Sequence, residues 1–204
     1  MTPSSILGSV IPSNLLISAY ASGWFPMAVG REIQWFSPDP RGILPLDRVH
    51  VPRRLARIVR SGRFRIEINR AFVEVMRACA VTDREPDDPG TWISEEIIES
   101  YTALHERGLA HSVEAWHGDR LVGGLYGVAF RGVFFGESMF YRETDASKVA
   151  LVALVERLRS RGYALLDTQW TTPHLEQFGA IEIRRAEYLR RLEQSLTLDC
   201  SFLG

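Results

Sequence analysis

Apolar and polar positions follow two clear periods along this chain, most regularly in its second half. Leu165-Leu166-Asp167-Thr168-Gln169-Trp170 has the apolar flanks of a buried strand, yet carries two polar side chains two residues apart. Strand side chains alternate faces, so Leu165, Asp167 and Gln169 point one way and Leu166, Thr168 and Trp170 the other. Asp167 and Gln169 then sit about 7 Å apart on one surface. A carboxylate there costs several kcal/mol unless it is hydrogen-bonded or paired. Phe134-Phe135-Gly136-Glu137-Ser138-Met139-Phe140 repeats the oddity, a single acid inside an apolar strand.

The pattern around these stretches predicts how they meet. Ser94 is placed to cap a helix with Glu95 and Glu96 in its first turn, closed by Gly108. Residues 111–117, 120–130 and 133–141 read as three strands in a meander, turning at Gly118-Asp119 and Arg131-Gly132. The second turn is weak, because Arg disfavours positive φ. Asp145 is placed to cap a helix with Val149, Leu151, Val152, Leu154, Val155 and Leu158 inward and Gly162 at its end; a strand at 163–170 follows. Strand, helix, strand in that order is a right-handed crossover, which makes 133–141 and 163–170 parallel and brings Glu137 and Asp167 into one site. A short helix at 174–178, a strand at 180–183 and an amphipathic helix at 187–194 complete the chain.

The first half is less regular. Residues 13–27 read as a helix capped by Ser13 or Asn14 and stopped at Gly23, followed by Trp24, Phe25 and Met27 around Pro26. Residues 34–42 read as a strand end running into a Pro-rich turn. Aromatics near turns usually pack a small core; the functional alternative is a flat surface for stacking a base. Arg53, Arg54, Arg57, Arg60, Arg63, Arg65 and Arg70 face only Glu67 in the same stretch. A solvated helix face is the simpler reading, and local phosphate contact the functional one. The acidic, Pro-rich segment 81–90 is the candidate linker, dividing the chain into a small N-terminal α/β domain (1–85) and a mixed-sheet domain (86–204) of α+β class.

A formal net charge of −1 excludes binding nucleic acid by bulk charge, though not a local basic surface, and 46% hydrophobic content supports a sizeable core over 204 residues. Cys79 and Cys200 fit neither a metal site nor a disulfide framework. With no basic start and long apolar run in residues 1–14, and no apolar segment long enough for a bilayer, a cytoplasmic location is expected. His105, His111 and His117, spaced by six, match no metal-ligand pattern. No metal and no cofactor is expected.

The order α-β-β-β-α-β-α-β resembles the GNAT acetyltransferase fold, in which two central parallel strands splay apart to form a cleft. Members that use coenzyme A place a glycine-rich turn against the pyrophosphate. The corresponding residues 141–148 contain no glycine, while Glu143 and Asp145 would repel a phosphate, so coenzyme A is disfavoured.

Several segments together resemble the leucyl/phenylalanyl-tRNA–protein transferase family: Gly23-Trp24-Phe25-Pro26-Met27, Trp35-Phe36-Ser37-Pro38-Asp39-Pro40-Arg41, Thr91-Trp92-Ile93, Leu121 to Gly127, Phe135 to Phe140, Ala146-Ser147-Lys148 and Asp167-Thr168-Gln169. The resemblance runs from about Leu15 to Leu192. It implies an enzyme of a small N-terminal domain plus a GNAT-like C-terminal domain, which moves Leu or Phe, and Met less well, from aminoacyl-tRNA to the α-amino group of proteins beginning with Arg or Lys. The product carries a destabilising N-terminus. Apart from the resemblance, a monomer is expected, though the sequence itself does not fix the oligomeric state. By the same resemblance, Asp167 and Gln169 engage the acceptor amine and Glu137 orients the reacting groups. Trp92 and Tyr101 line the adenosine site, with Met27 where some members carry Trp. Phe135 and Met139, on the Glu137 face with Ser138 beside them, are candidates for the apolar pocket; Leu166 is the weakest candidate because it points away from Asp167. Arg53, Arg54, Arg57 and Arg60 are candidates for tRNA phosphate contact. The chain departs from the family's usual pattern at residues 8–15 and at Arg184, where Pro is common.

Aminoacyl-tRNA is already an activated ester, so the chemistry needs an uncharged amine and correct positioning. A neutral Gln is a poor base. Either Asp167 polarises Gln169, or Gln169 positions the amine while a tRNA ribose hydroxyl shuttles the proton; positioning is the preferred reading. Two alternatives remain: an acyl-coenzyme A N-acetyltransferase, and a non-catalytic binder of N-terminal residues or RNA ends.

Overall fold

The computed structural model describes residues 10–82 and 91–204. The first part comprises α1 (Ser13–Ala21), the hairpin β1 (Phe25–Val29) and β2 (Glu32–Phe36), β3 (Arg41–Ile43), α2 (Arg53–Ser61), β4 (Arg65–Ile68) and α3 (Phe72–Thr82). The second comprises α4 (Glu95–Glu106), β5 (Ala110–His117), β6 (Arg120–Phe130), β7 (Val133–Tyr141), α5 (Ala146–Ser160), β8 (Leu165–Gln169), α6 (Pro173–Glu176), β9 (Ile181–Ile183) and α7 (Arg185–Leu196). The order expected from the sequence, α-β-β-β-α-β-α-β, is therefore present from α4 to β9.

Local signals explain some termini and miss others. Ser94 caps α4 by accepting from the Ile97 amide, with Glu95 and Glu96 at the positive end of the helix dipole. Asp145 occupies the cap position of α5 but adopts φ 72° and makes no side-chain cap bond. Its carboxylate instead takes Arg54 Nη2 at 2.7 Å, so a partner 91 residues away displaces the local one. Neither Ser13 nor Asn14 caps α1: Pro12 holds that position, and its carbonyl accepts from the Leu15 and Leu16 amides. Arg131 does take the unfavourable positive φ, at 56°.

Seven strands form one sheet in the order β4-β5-β6-β7-β8-β3-β9. All neighbours are antiparallel except β7 and β8, the parallel pair expected from the crossover. Residues 83–90 of the expected linker lie outside the described residues. On either side of them the chain shares this sheet, since β4 pairs with β5 and β3 lies between β8 and β9. Helices cover both faces. On one, Leu16, Tyr20, Met76, Ile97, Tyr101 and Tyr188 pack against Val133, Phe135 and Leu165. On the other, Leu55 and the α5 residues Val149 to Leu158 pack against Phe134 and Leu166. Each such side chain, fully buried, contributes roughly 1.5–3 kcal/mol.

The sheet opens where its strand directions change. Pairing of β7 with β8 covers Val133↔Leu165, Phe134↔Leu166 and Phe135↔Asp167, and then stops, although β7 continues to Tyr141. On its other side β7 carries a bulge: Gly136 faces Gly127 and Ser138 faces Tyr126, leaving Glu137 as the extra residue. Gly127 permits it, because a Cβ there would lie 2.2 Å from the Phe135 carbonyl oxygen. The bulge overturns one expectation. Phe135 stays on the Tyr20 side, while Met139 turns to the α5 side. Strict alternation would have kept them together.

Candidate active site

A cavity of about 610 Å³ occupies the wedge between the diverging ends of β7 and β8. One side carries Glu137 and Gln169; the other is apolar, with Leu125, Met139, Leu151, Leu154, Leu166 and Leu175. Phe25, Met27, Trp92 and Trp170 form an aromatic and thioether wall. The Ala28 amide donates to the Trp92 carbonyl at 3.0 Å, which joins β1 to the segment before α4 and sets Met27 near Trp92.

Glu137 is the hub of the polar side. Tyr20 Oη donates to Glu137 Oε1 at 2.6 Å, Tyr101 Oη to Oε2 at 3.2 Å, and Gln169 Nε2 to Oε1 at 3.1 Å. The two tyrosine hydroxyls also contact each other. Burial pushes the Glu137 carboxyl up to about 7, with donation from Tyr20 working against the rise and the nearby Asp167 charge adding to it. Burial likewise raises both tyrosines well above their usual range. The Gln169 side-chain amide is thus engaged by Glu137 through Nε2.

Behind this pair lies a buried ion pair. Arg41 and Asp167 are both 0% exposed. Arg41 Nε and Nη2 donate to Asp167 Oδ1 and Oδ2 at 3.0 and 2.6 Å, and Nη1 donates to the Gly23 carbonyl. Tyr188 Oη donates to Oδ2 at 2.7 Å, and the Gln169 backbone amide donates to Oδ1 at 2.8 Å. The guanidinium also lies over the rings of Phe25 and Tyr188. A carboxylate offers about four lone-pair sites, and these four bonds use them. Asp167 has no capacity left for an incoming ammonium and does not line the cavity. Gln169 itself sits at φ 58°, a left-handed conformation that costs a non-glycine residue about 1–3 kcal/mol. Gly42 lets β3 approach this turn, since a Cβ would lie 2.5 Å from the Trp170 carbonyl carbon.

The family model for leucyl/phenylalanyl-tRNA protein transferase matches residues 43–193, and the model for its N-terminal domain matches residues 13–39. The chain belongs to this family. Its relatives named leucyl/phenylalanyl-tRNA–protein transferase include those of Gloeobacter violaceus (54% identical over 92% of this chain and 95% of the relative), Rubrobacter xylanophilus (56%, 92% and 96%) and Paramagnetospirillum magneticum (56%, 91% and 90%). Among solved structures, L-PGS from Bacillus licheniformis matches at TM-score 0.43 and 10% identity, over 78% of this chain and 65% of that one.

Within this member of the leucyl/phenylalanyl-tRNA protein transferase family, the expected residues divide into three groups. Glu137, Ser138, Met139, Gln169, Met27 and Trp92 line the cavity. Asp167, Phe135 and Tyr101 stand behind it: Phe135 packs on the Tyr20 ring at 4.7 Å, and Tyr101 reaches Glu137 only through its hydroxyl. Leu166, the weakest pocket candidate in the sequence, is in the wall, because the apolar end of the pocket lies on the face opposite Asp167. Arg53, Arg54, Arg57 and Arg60 are all exposed on α2, and Arg54 also pairs with Asp145. Sequence reasoning missed Tyr20, Arg41 and Tyr188 as partners of the acids. Arg41 did leave a trace, a lone cation leading into the apolar run Ile43-Leu44. Among the described residues, no cluster of His, Cys, Asp and Glu could hold a metal.

Proposed function

We propose that this chain is an aminoacyltransferase that moves Leu or Phe, and Met less well, from aminoacyl-tRNA to the α-amino group of proteins beginning with Arg or Lys, marking them for N-end-rule degradation. Family membership supports aminoacyl-tRNA and protein as the two substrates. The observation that carries the mechanism is the continuity of one cavity from the Glu137–Gln169 pair to a leucine- and methionine-lined end.

In this reading the donor side chain enters the apolar end, among Met139, Leu151, Leu154 and Leu166. The terminal adenine stacks on Trp92 beside Met27; such stacking is worth about 1–3 kcal/mol. The ester carbonyl then lies at the mouth of the wedge, within reach of an amine held by Gln169 Oε1. An α-amine has a reference pKa near 8, so a useful fraction is neutral at physiological pH. Gln169 acts by positioning. The amine nitrogen attacks the carbonyl carbon, the C–O bond to the ribose breaks, and the amine proton passes to the leaving ribose oxygen by way of the neighbouring hydroxyl. Glu137 anchors the far end of the Gln169 amide, and Asp167 supports Gln169 from behind. Exposed Arg53, Arg57 and Arg60 contact tRNA phosphates.

No helix of the described residues is long and apolar enough to cross a membrane. The proposal takes the enzyme to be a monomer working in the cytoplasm. The deciding experiment mixes the protein with Leu-, Phe- or Met-tRNA and an Arg-started peptide. The expected product is a peptide one residue longer. Absence of extension with all three donors overturns the proposal. Protection from thermal unfolding by acetyl-coenzyme A would favour an N-acetyltransferase, and peptide affinity without turnover would favour a binding module.

A further inference from the structure

The proposed chemistry uses Gln169, yet nothing on the cavity side explains why Gln169 keeps a left-handed backbone. The explanation lies underneath. The Gln169 backbone amide donates to Asp167 Oδ1, and the same oxygen takes Arg41 Nε, while Oδ2 takes Arg41 Nη2 and Tyr188 Oη. Arg41 is held in turn by the Gly23 carbonyl and by the rings of Phe25 and Tyr188. Side chains from β3 and α7 thus converge on one carboxylate, with Arg41 braced by the segment before β1, and that carboxylate holds the turn. We infer that Arg41 is a positioning residue for Gln169: its two-pronged bond to Asp167 fixes the turn that aims the Gln169 amide at Glu137 across the wedge. Asp167 on this account is the link between Arg41 and Gln169 and exchanges no proton with substrate, since all four of its lone-pair sites are taken.

The fork matters more than the charge. Lysine at position 41 would keep the cation but could not serve Oδ1, Oδ2 and the Gly23 carbonyl in one plane. This inference rests on the function proposed above, and its test separates the two. Wild type, Arg41→Lys, Tyr188→Phe and Glu137→Gln are compared in the peptide-extension assay across pH, beside thermal melts and the ¹⁵N–¹H resonance of the Gln169 backbone amide. In Arg41→Lys the expected result is a roughly ten- to hundred-fold loss of kcat, the size that a small misplacement of a reacting group produces. KM for aminoacyl-tRNA stays at the wild-type value, because the apolar pocket and Trp92 are untouched. The pH at which activity changes stays put in Arg41→Lys, whereas in Glu137→Gln any part of the profile that reports the Glu137 ionisation is lost. Tyr188→Phe removes one donor and leaves the fork, so it shows the same signature at smaller size and carries the test if Arg41→Lys does not fold. Wild-type kcat in a folded Arg41→Lys or Tyr188→Phe overturns the inference, as does a loss confined to KM or a displaced pH profile in either. If wild type extends no peptide, the proposed function has failed. The Gln169 resonance then decides the positioning role: a shift in Arg41→Lys and Tyr188→Phe supports it, and an unmoved signal overturns it.

Discussion

Gln169 and Glu137 lie on two parallel strands that have already parted, and their side chains close the gap with one hydrogen bond, Nε2 to Oε1 at 3.1 Å. The bond ties the polar end of the cavity together at the point where backbone pairing no longer does. Replacing Gln169 with Ala is expected to lower kcat/KM for peptide extension about hundred-fold, the size of loss that misplacing a reacting group produces. A folded Gln169→Ala variant with wild-type turnover would refute this assignment.

Glu137 also leaves a signature in stability. Its carboxyl is raised by burial from an ordinary 4.5 to about 7, so the folded state binds this proton more tightly than the unfolded chain. Below about pH 4.5 both states are protonated and there is no penalty. As pH rises from about 4.5 to 7, the folded state progressively loses roughly 3 kcal/mol relative to that limit, and little more above it. Glu137→Gln abolishes the ionisation. Its melting temperature relative to wild type should therefore be more favourable at pH 8 than at pH 5, and an equal difference at both would contradict the shift.

Donor choice should respond to the apolar end of the cavity. Leu154 is buried and lines it, so Leu154→Phe fills space that a bulky donor side chain needs. Extension with Phe-tRNA is expected to fall about ten-fold or more relative to Leu-tRNA, the discrimination available from one or two methylenes in an apolar pocket. Competition between the two charged tRNAs measures the ratio directly; an unchanged ratio would place the donor elsewhere.

The α2 arginines offer an electrostatic test. Arg57 and Arg60 are exposed and make no ion pair with the described residues, whereas Arg54 is engaged by Asp145. Arg57→Ala with Arg60→Ala should weaken tRNA binding and lower the slope of log affinity against log salt by about one per arginine. Activity with a short aminoacyl-adenosine donor should stay at the wild-type level. Loss with both donors would mean that these side chains act through the fold.

The acids that matter could be found in the sequence because a charge in an apolar strand is conspicuous without any coordinates. The role of Asp167 could not. Its cation, Arg41, lies 126 residues away, and nothing in the period-two pattern of either strand links the two. Tyr20 and Tyr188 were hidden for the same reason, since a tyrosine on an amphipathic helix reads as core until its hydroxyl finds an acid.

The alternation of apolar and polar residues, together with the strand-helix-strand order, determined by itself that β7 and β8 run parallel and carry Glu137, Asp167 and Gln169 between them. These are consequences of local periodicity and chain handedness, which any stretch of sequence displays openly. Tertiary structure alone decided that Arg41 saturates Asp167, that Phe135 leaves the cavity, and that Met139 and Leu166 share its apolar end. A bulge at Glu137 reverses the faces beyond it, and whether a bulge forms depends on how neighbouring strands meet across the sheet, which no single strand's residues express.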